Sequence, residues 1–560
     1  MKIILAQQNY HIGNFESNTQ KIIEAIDFAK NKNADLIVFS EMSVCGYPAR
    51  DFLDFNDFIN KCYASIEAIK AHAGNIGVIV GAPDRNPVRE GKDLFNAAFL
   101  LYQNKIQGVA HKTCLPTYDV FDEYRYFEPA YNWNIIEFRG KKIALTVCED
   151  IWNLGDNPLY RICPMDILMQ QQPDVMINIS ASPFDYTHIE DRKSIIKANV
   201  LKYKLPLIYC NAVGSQTEIV FDGASLVFDK DANLCCQLFQ FKEQLTEVNL
   251  NDDGTLQENV IEPAIAVPNQ LLDPLFYTPD VNISQVYQAI ILGISDYFKK
   301  MGFTKAIIGS SGGIDSAVTI TLACEALGKE NVRAILMPSE YSTSHSVKDA
   351  EQLSKNLGNP YDIISIKNIY SQFIKELHPI FQDLPFNVAE ENIQSRTRGN
   401  LLMAIANKFG YILLNTSNKS ELATGYGTLY GDMAGGLGVV GDCYKTQVYE
   451  LAKFINSDKE IIPVNIISKP PSAELKPDQK DTDSLPEYDI LDKILYQYIE
   501  RVQGPAEIKA QGFDPALVDR VLSMVNKNEY KRNQFCPIIR ISPKAFGVGR
   551  RVPIVGNYLS

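Results

Sequence analysis

The chain reads as an α/β protein made of two successive units, and three features predict this. Short β-branched runs alternate with helical stretches from the first residues; the alternation lapses once, in a segment rich in Asn, Asp, Gly and Pro; beyond it a strand runs straight into a glycine-serine loop and a helix. Folds of this class place chemistry at strand ends.

In order, Lys2–Ala6 predicts a strand, Ser17–Lys32 an amphipathic helix and Leu36–Phe39 a second strand. Gly77–Val80, Ile143–Val147, Val175–Ile179 and Leu207–Cys210 follow as strands, with polar or reactive groups such as Glu149 and Ser180 at their ends. From about Leu250 to Val281 the period is lost: Asn251–Gly254 is followed by Pro263, Pro268, Pro274 and Pro279. The expected organisation is a domain over 1–250, a linker over 251–281 and a second domain over 282–560. The second domain opens with a helix near Ser284–Met301, a strand at Lys305–Ile308, the loop Gly309–Ser316 and a helix through Leu327. Strands at Val332–Met337, Tyr361–Ile364 and Tyr411–Leu414 complete a doubly wound parallel sheet, and no internal repeat is present.

Composition narrows the function. At 560 residues, 46% apolar and 22% charged, the chain can bury two sizeable cores. No apolar run approaches the roughly 20 residues a spanning helix needs, and Met1–Asn9 lacks the regions of a signal peptide. A soluble cytoplasmic protein without a membrane partner is expected. A net charge of -13 and a pI near 5.1 argue against nucleic acid as a partner, while leaving room for a local basic pocket. The eleven cysteines are scattered and contain no Cys-x-x-Cys pair, so neither a disulfide framework nor a zinc site is expected.

Three reactive residues in the amino-terminal half follow apolar strands or sit between them: Glu41, Lys112 and Cys148. A thiol is a nucleophile as thiolate, an ammonium nearby favours that form, and a carboxylate can take up and return the proton. Lys112 and the backbone N–H of Glu149 are placed to steady a developing oxyanion. Taken singly, a cysteine after an apolar strand is ordinary packing and a Glu or Lys an ordinary surface charge. Together, Phe39–Met42, His111–Glu123 and Cys148–Trp152 resemble the nitrilase superfamily of carbon-nitrogen hydrolases over about the first 250 residues. The resemblance implies an αββα sandwich with Cys148 as nucleophile, Glu41 as general base, Lys112 as transition-state stabiliser and Glu123 as the second glutamate. It further implies that Tyr118 and Ser182 line the amide pocket. Where glutamine-using relatives tend to carry Arg or Lys, six residues after Ser182, this chain has His188, which holds a carboxylate only when protonated or hydrogen-bonded.

In the second half, Gly309, Ser310, Ser311, Gly312, Gly313, Ile314, Asp315 and Ser316 lie between a strand and a helix. Glycines there allow close backbone approach, and successive N–H groups with the helix N-terminus meet phosphate oxygens. The Walker spacing and its lysine are missing. The string resembles the PP-loop of ATP pyrophosphatases, an adenine nucleotide alpha hydrolase-like fold whose members activate a carboxylate or carbonyl as an adenylate. Glu391–Arg398, Asn415–Asp432, Lys445 and Lys469–Leu475 resemble the NAD synthetase family, and Glu529–Arg532 with Pro543–Arg551 resemble its glutamine-dependent branch.

By that resemblance Thr416 contacts ATP, Asn392, Glu421 and Lys531 hold deamido-NAD, and Asp315 with Glu421 supplies oxygen ligands to Mg2+. Arg396 or Arg398 offers planar donors for phosphate. The implied reaction amidates deamido-NAD with ATP and ammonia freed from L-glutamine, in a homo-oligomer. A ligase with the same two domains and another acceptor, and a catalytically silent nucleotide-binding scaffold, are the alternatives. Gly436, Gly438 and Gly441 formally match a dinucleotide fingerprint, but no strand is expected before them, and a mobile loop is expected instead.

Overall fold

A computed structural model describes residues 1–154, 158–256, 279–477 and 479–558. The chain divides into two compact units, 1–267 and 268–560. Most of the expected linker, residues 257–278, lies outside the described residues.

In the first unit two six-stranded sheets lie face to face. One contains Lys2–Gln7, Leu36–Phe39, Gly77–Arg85, Leu94–Tyr102, Lys105–His111 and Gln244–Asn249; the other includes Lys141–Val147, Val175–Ser180 and Leu207–Asn211. Strand periodicity sorts the side chains. Ile3 and Leu5 enter the core between the sheets with Ile143, Leu145 and Ile177, whereas Ile4 and Ala6 face the helices Phe15–Asn31 and Asn56–Ala73. Phe15–Asn31 buries Ile22, Ala25, Ile26 and Ala29, one stripe at helical spacing, and Asn14 caps it by accepting from the Ser17 N–H. Each isoleucine so buried contributes about 1.5–3 kcal/mol. On the outer face of the second sheet, His188–Tyr203 packs Ile196 and Val200 against Tyr209 and Leu226. The layering is αββα, as expected.

The second unit is built on a five-stranded parallel sheet in the order Tyr361–Ile363, Val332–Leu336, Ala306–Gly309, Ile412–Asn415, Leu437–Gly438. Ala306, Ile307 and Ile308 are fully buried, as in a sheet covered on both faces. Strand order reverses on either side of Ala306–Gly309, and doubly wound sheets bind ligands at that switch point. The strands and helices expected in both units recur within a few residues of their predicted ends. One expectation fails: residues 437–443 are buried, and Leu437–Gly438 is an edge strand, not a mobile loop. The next helix begins only at Lys445, so no helix N-terminus faces a ligand at Gly441. Leu437 and Val439 pack inward although the glycines around them erase any strand signal.

Lys419 is a heavily paired charge of this unit. Its Nζ, fully buried, lies 2.7 Å from Glu500 and 3.0 Å from Asp442, donates to Ser542 Oγ and sits over the Tyr444 ring. Burial disfavours the ammonium, but Asp442 and Glu500 outweigh it and its pKa is raised. Lys419→Met strands two buried carboxylates, so a loss of about 3–5 kcal/mol is expected, read as a lower denaturation midpoint of this unit.

Candidate active sites

The strand Leu36–Phe39 ends one residue before Ser40-Glu41, Lys105–His111 ends at Lys112, and Lys141–Val147 ends at Cys148. Three strand ends therefore deliver three functional groups from both sheets. Lys112, just beyond its strand, has a fully buried side chain, with Nζ 2.9 Å from Glu41 Oε1 and 2.8 Å from Glu123 Oε1. Burial works against the ammonium, but the Glu123 and Glu41 charges hold its pKa well above the usual lysine range. Glu123 also accepts from Tyr47 Oη at 2.8 Å, and burial pushes its carboxyl up to about 7.

Cys148 sits with φ of 44°, a left-handed conformation, at a sharp turn from strand into a short 3-10 helix, and is 7% exposed. Strain of this kind concentrates at working residues. Burial pushes the thiol well up, the Glu41 charge adds to this, and Lys112 opposes both. The resting sulfur is a neutral thiol within electrostatic reach of a carboxylate and an ammonium. Asp150 fastens the turn: Oδ1 accepts from the Thr113 and Cys114 N–H groups and Oδ2 from Val147 N–H, joining the Lys112 segment to the Cys148 segment.

Beside them, Tyr118 Oη donates to Glu149 Oε1 at 2.9 Å and Tyr160 Oη lies 3.3 Å from the same oxygen. Glu149 is buried, which raises its pKa. Ser182 Oγ lies 3.0 Å from His188 Nε2, and the imidazole stacks on Trp152 with centroids 4.9 Å apart. His188 is thus held on both an edge and a face.

In the second unit a cavity of about 300 Å³ is lined by Gly309, Ser310, Ser311, Gly313, Ile314, Asp315 and Ser316, with Thr416, Glu421, Arg398, Lys445 and Lys469 around them. No side chain caps the helix Ile314–Leu327, so its first N–H groups are left for a ligand. Gly312 does not line the cavity. It takes φ of 76°, and a Cβ there would meet Ser346 O at 2.3 Å, so only glycine fits. Lys445 Nζ bridges Asp315 at 2.6 Å and Glu421 at 3.3 Å, while Asn418 Nδ2 donates to the other Asp315 oxygen. Burial and then the Asp315 charge push Glu421 up to about 8.

Asn392 and Lys531 do not line this cavity. Asn392 accepts from Thr428 Oγ1, and Lys531 donates to the Gly425 and Gly427 carbonyls. Both brace the segment 425–428. Arg398 donates to Met337 O, and burial lowers its pKa to about 10; Arg396 donates to Leu429 O. Among the described residues no group of three or more His, Cys, Asp and Glu is placed to hold a metal ion. Asp315 and Glu421 nevertheless suit a hard cation that keeps part of its coordination for substrate phosphates.

Sequence reading missed Asn96, Tyr47 and the joining role of Asp150. Asn96 and Tyr47 occupy a strand interior and a turn, where nothing in the wording distinguishes them from packing.

The carbon-nitrogen hydrolase family model matches residues 2–256, and the NAD synthase family model matches residues 286–535. A glutamine-dependent NAD(+) synthetase of Synechocystis sp. is 43% identical over 560 residues, covering 99% of this chain and 98% of the relative. One of Thermotoga maritima is 39% identical, covering 100% and 99%. The solved glutamine-dependent NAD+ synthetase from Acinetobacter baumannii, in complex with ADP, superposes with a TM-score of 0.76 at 37% identity, covering 99% of this chain and 98% of that one.

Proposed function

This chain belongs to the glutamine-dependent NAD(+) synthetases, and from that premise we propose how its own residues divide the reaction, in which deamido-NAD is amidated to NAD with ATP and glutamine nitrogen. In the first unit Glu41 takes the Cys148 proton as sulfur attacks the side-chain amide of glutamine. Lys112 and the Glu149 backbone N–H hold the oxyanion, ammonia leaves, and water directed by Glu41 releases glutamate from the thioester. A neutral resting thiol fits this order, because the proton moves only when the carbonyl is in place. The bridge from Lys112 to Glu41 and Glu123 carries the reading.

Around that centre, Tyr118, Ser182 and His188 form the glutamine pocket. The Glu149 carboxylate complements the α-ammonium of an amino acid, and a protonated or hydrogen-bonded His188 complements its α-carboxylate.

In the second unit Gly309–Ser316 and Thr416 cradle ATP, and Asn392, Glu421 and Lys531 serve deamido-NAD, with Asn392 and Lys531 acting on the 425–428 wall. Asp315 and Glu421 would hold Mg2+, which would supply positive charge against the phosphates and the departing pyrophosphate. Lys445 keeps those carboxylates paired in the free protein. The nicotinate carboxylate is adenylated, and ammonia displaces AMP. Free ammonia is mostly protonated at neutral pH, so joining both sites in one chain favours its delivery through a shielded passage.

We further infer a homo-oligomer, a cytoplasmic setting and the domain limits 1–250, 251–281 and 282–560. No described helix is long and apolar enough to cross a membrane. Mass detection after mixing the purified protein with deamido-NAD, Mg-ATP and glutamine tests the whole: NAD, AMP and glutamate appearing together is expected, and glutamate without NAD and AMP would overturn it.

A further inference from the structure

One side chain donates toward both glutamates that hold Lys112 in the amino-terminal site. Asn96, in the strand Leu94–Tyr102, is fully buried. Its Nδ2 donates to Glu41 Oε1 at 2.6 Å and lies 3.4 Å from Glu123 Oε2, and its carbonyl accepts from the Lys112 N–H at 2.8 Å. Its Oδ1 is buried and has no partner among the described residues. The reversed amide would set that oxygen against two carboxylates, so the orientation is fixed by charge although it leaves an acceptor unmet.

The bonds on Glu41 then divide unequally. Oε1 accepts two, from Lys112 Nζ and Asn96 Nδ2, whereas Oε2 accepts one, from the Ala181 N–H at 2.8 Å. A carboxylate oxygen offers two lone-pair positions. We propose that Asn96 is a positioning residue of the glutaminase reaction: by filling Oε1 of Glu41 together with Lys112, it leaves Oε2 as the oxygen that takes the Cys148 proton and later returns it. Asn96 itself exchanges no proton and touches no substrate. The proposal rests on the glutaminase reading of this unit.

Asn96 also donates to Glu41, and a donor to a carboxylate stabilises its charge. Besides Asn96, the ionisable groups acting on Glu41 are Lys112, Glu123, Cys148, Glu149 and Tyr47. Of these only Lys112 is cationic, so loss of the amide donor is not made good by another charge.

The test measures glutamine hydrolysis by the full chain, with deamido-NAD and Mg-ATP present, across the acidic limb of its pH profile. For Asn96→Leu a loss of about 10- to 100-fold in kcat is expected, part of what a positioned base supplies, with KM for glutamine little changed and the acidic limb moved to higher pH. Asn96→Ala removes the donor without leucine's bulk or a new charge and is expected to move the limb in the same direction, which guards against a folding failure of the leucine variant. Ammonium-supported NAD synthesis and thermal melting of both variants report folding. A limb that stays in place in a folded variant overturns the proposal, as does an unchanged kcat. Retention of glutamine hydrolysis by Cys148→Ala would instead overturn the glutaminase reading beneath it.

Discussion

Cys148→Ala is expected to lower glutamine-supported NAD formation by roughly 10⁴-fold or more, because no neighbouring group replaces the sulfur that forms the thioester. Ammonium-supported formation should persist, since the proposed adenylation site lies in the other unit. Folding is not the obstacle: alanine takes the left-handed backbone of position 148 as readily as cysteine does. The buried Lys112–Glu41–Glu123 cluster survives without the thiol, because its bonds run among those three side chains, Asn96, Tyr47 and the Ala181 N–H. Parallel assays with glutamine and with an ammonium salt read the result. Loss of both activities would contradict the division of labour, and retention of both would place the nucleophile elsewhere.

Asp315→Asn is expected to remove NAD formation from both nitrogen donors, by roughly 10²- to 10⁴-fold. In the proposed reaction the carboxylate would serve the cation and phosphates of the adenylation step, which both routes share. This substitution also has a signature in stability. Glu421 has a folded pKa of about 8, above its ordinary 4.5, through burial and the adjacent Asp315 charge. A group raised in the folded state contributes stability that is fully present below its unfolded pKa and is lost as pH rises through the folded value. Between about pH 4.5 and 8 the native protein is therefore progressively disfavoured by this group. Removing the Asp315 charge lowers the Glu421 pKa, so the melting temperature of Asp315→Asn should fall less over that interval than that of the unaltered protein. Melting curves at several pH values decide this; parallel profiles would mean that Asp315 does not set the Glu421 titration.

The two sites were unequally legible. Glu41 and Cys148 follow uninterrupted apolar strands, and such a run fixes both the strand and the place where it stops. Lys112 looked like a surface loop residue because the polar residues around it say nothing about what covers them. Asn96 is one polar residue inside Leu94–Tyr102, a run that sequence alone reads as packing; its partners lie 55 and 27 positions away in the chain. Lys531 and Asn392 carry family wording, yet they meet the wall 425–428 and not the cavity itself. The glycines from Gly435 to Gly441 suggested mobility, but the segment is pinned as an edge strand by pairing with Leu414 and Asn415, and by Pro537 accepting from the Gly438 N–H.

The sequence by itself determined the α/β class, the two halves, the strand ends and the residue types that deliver nucleophile, cation, base and phosphate loop. These are local: periodicity and strand termination are written in neighbouring residues. Tertiary structure alone decided that Lys112 is buried between two glutamates, that the Cys148 thiol rests neutral, that Asn96 divides the Glu41 oxygens and that Lys445 bridges Asp315 and Glu421. Each depends on desolvation and on charges brought together from distant segments, quantities that no stretch of sequence contains until the sheets have closed over them.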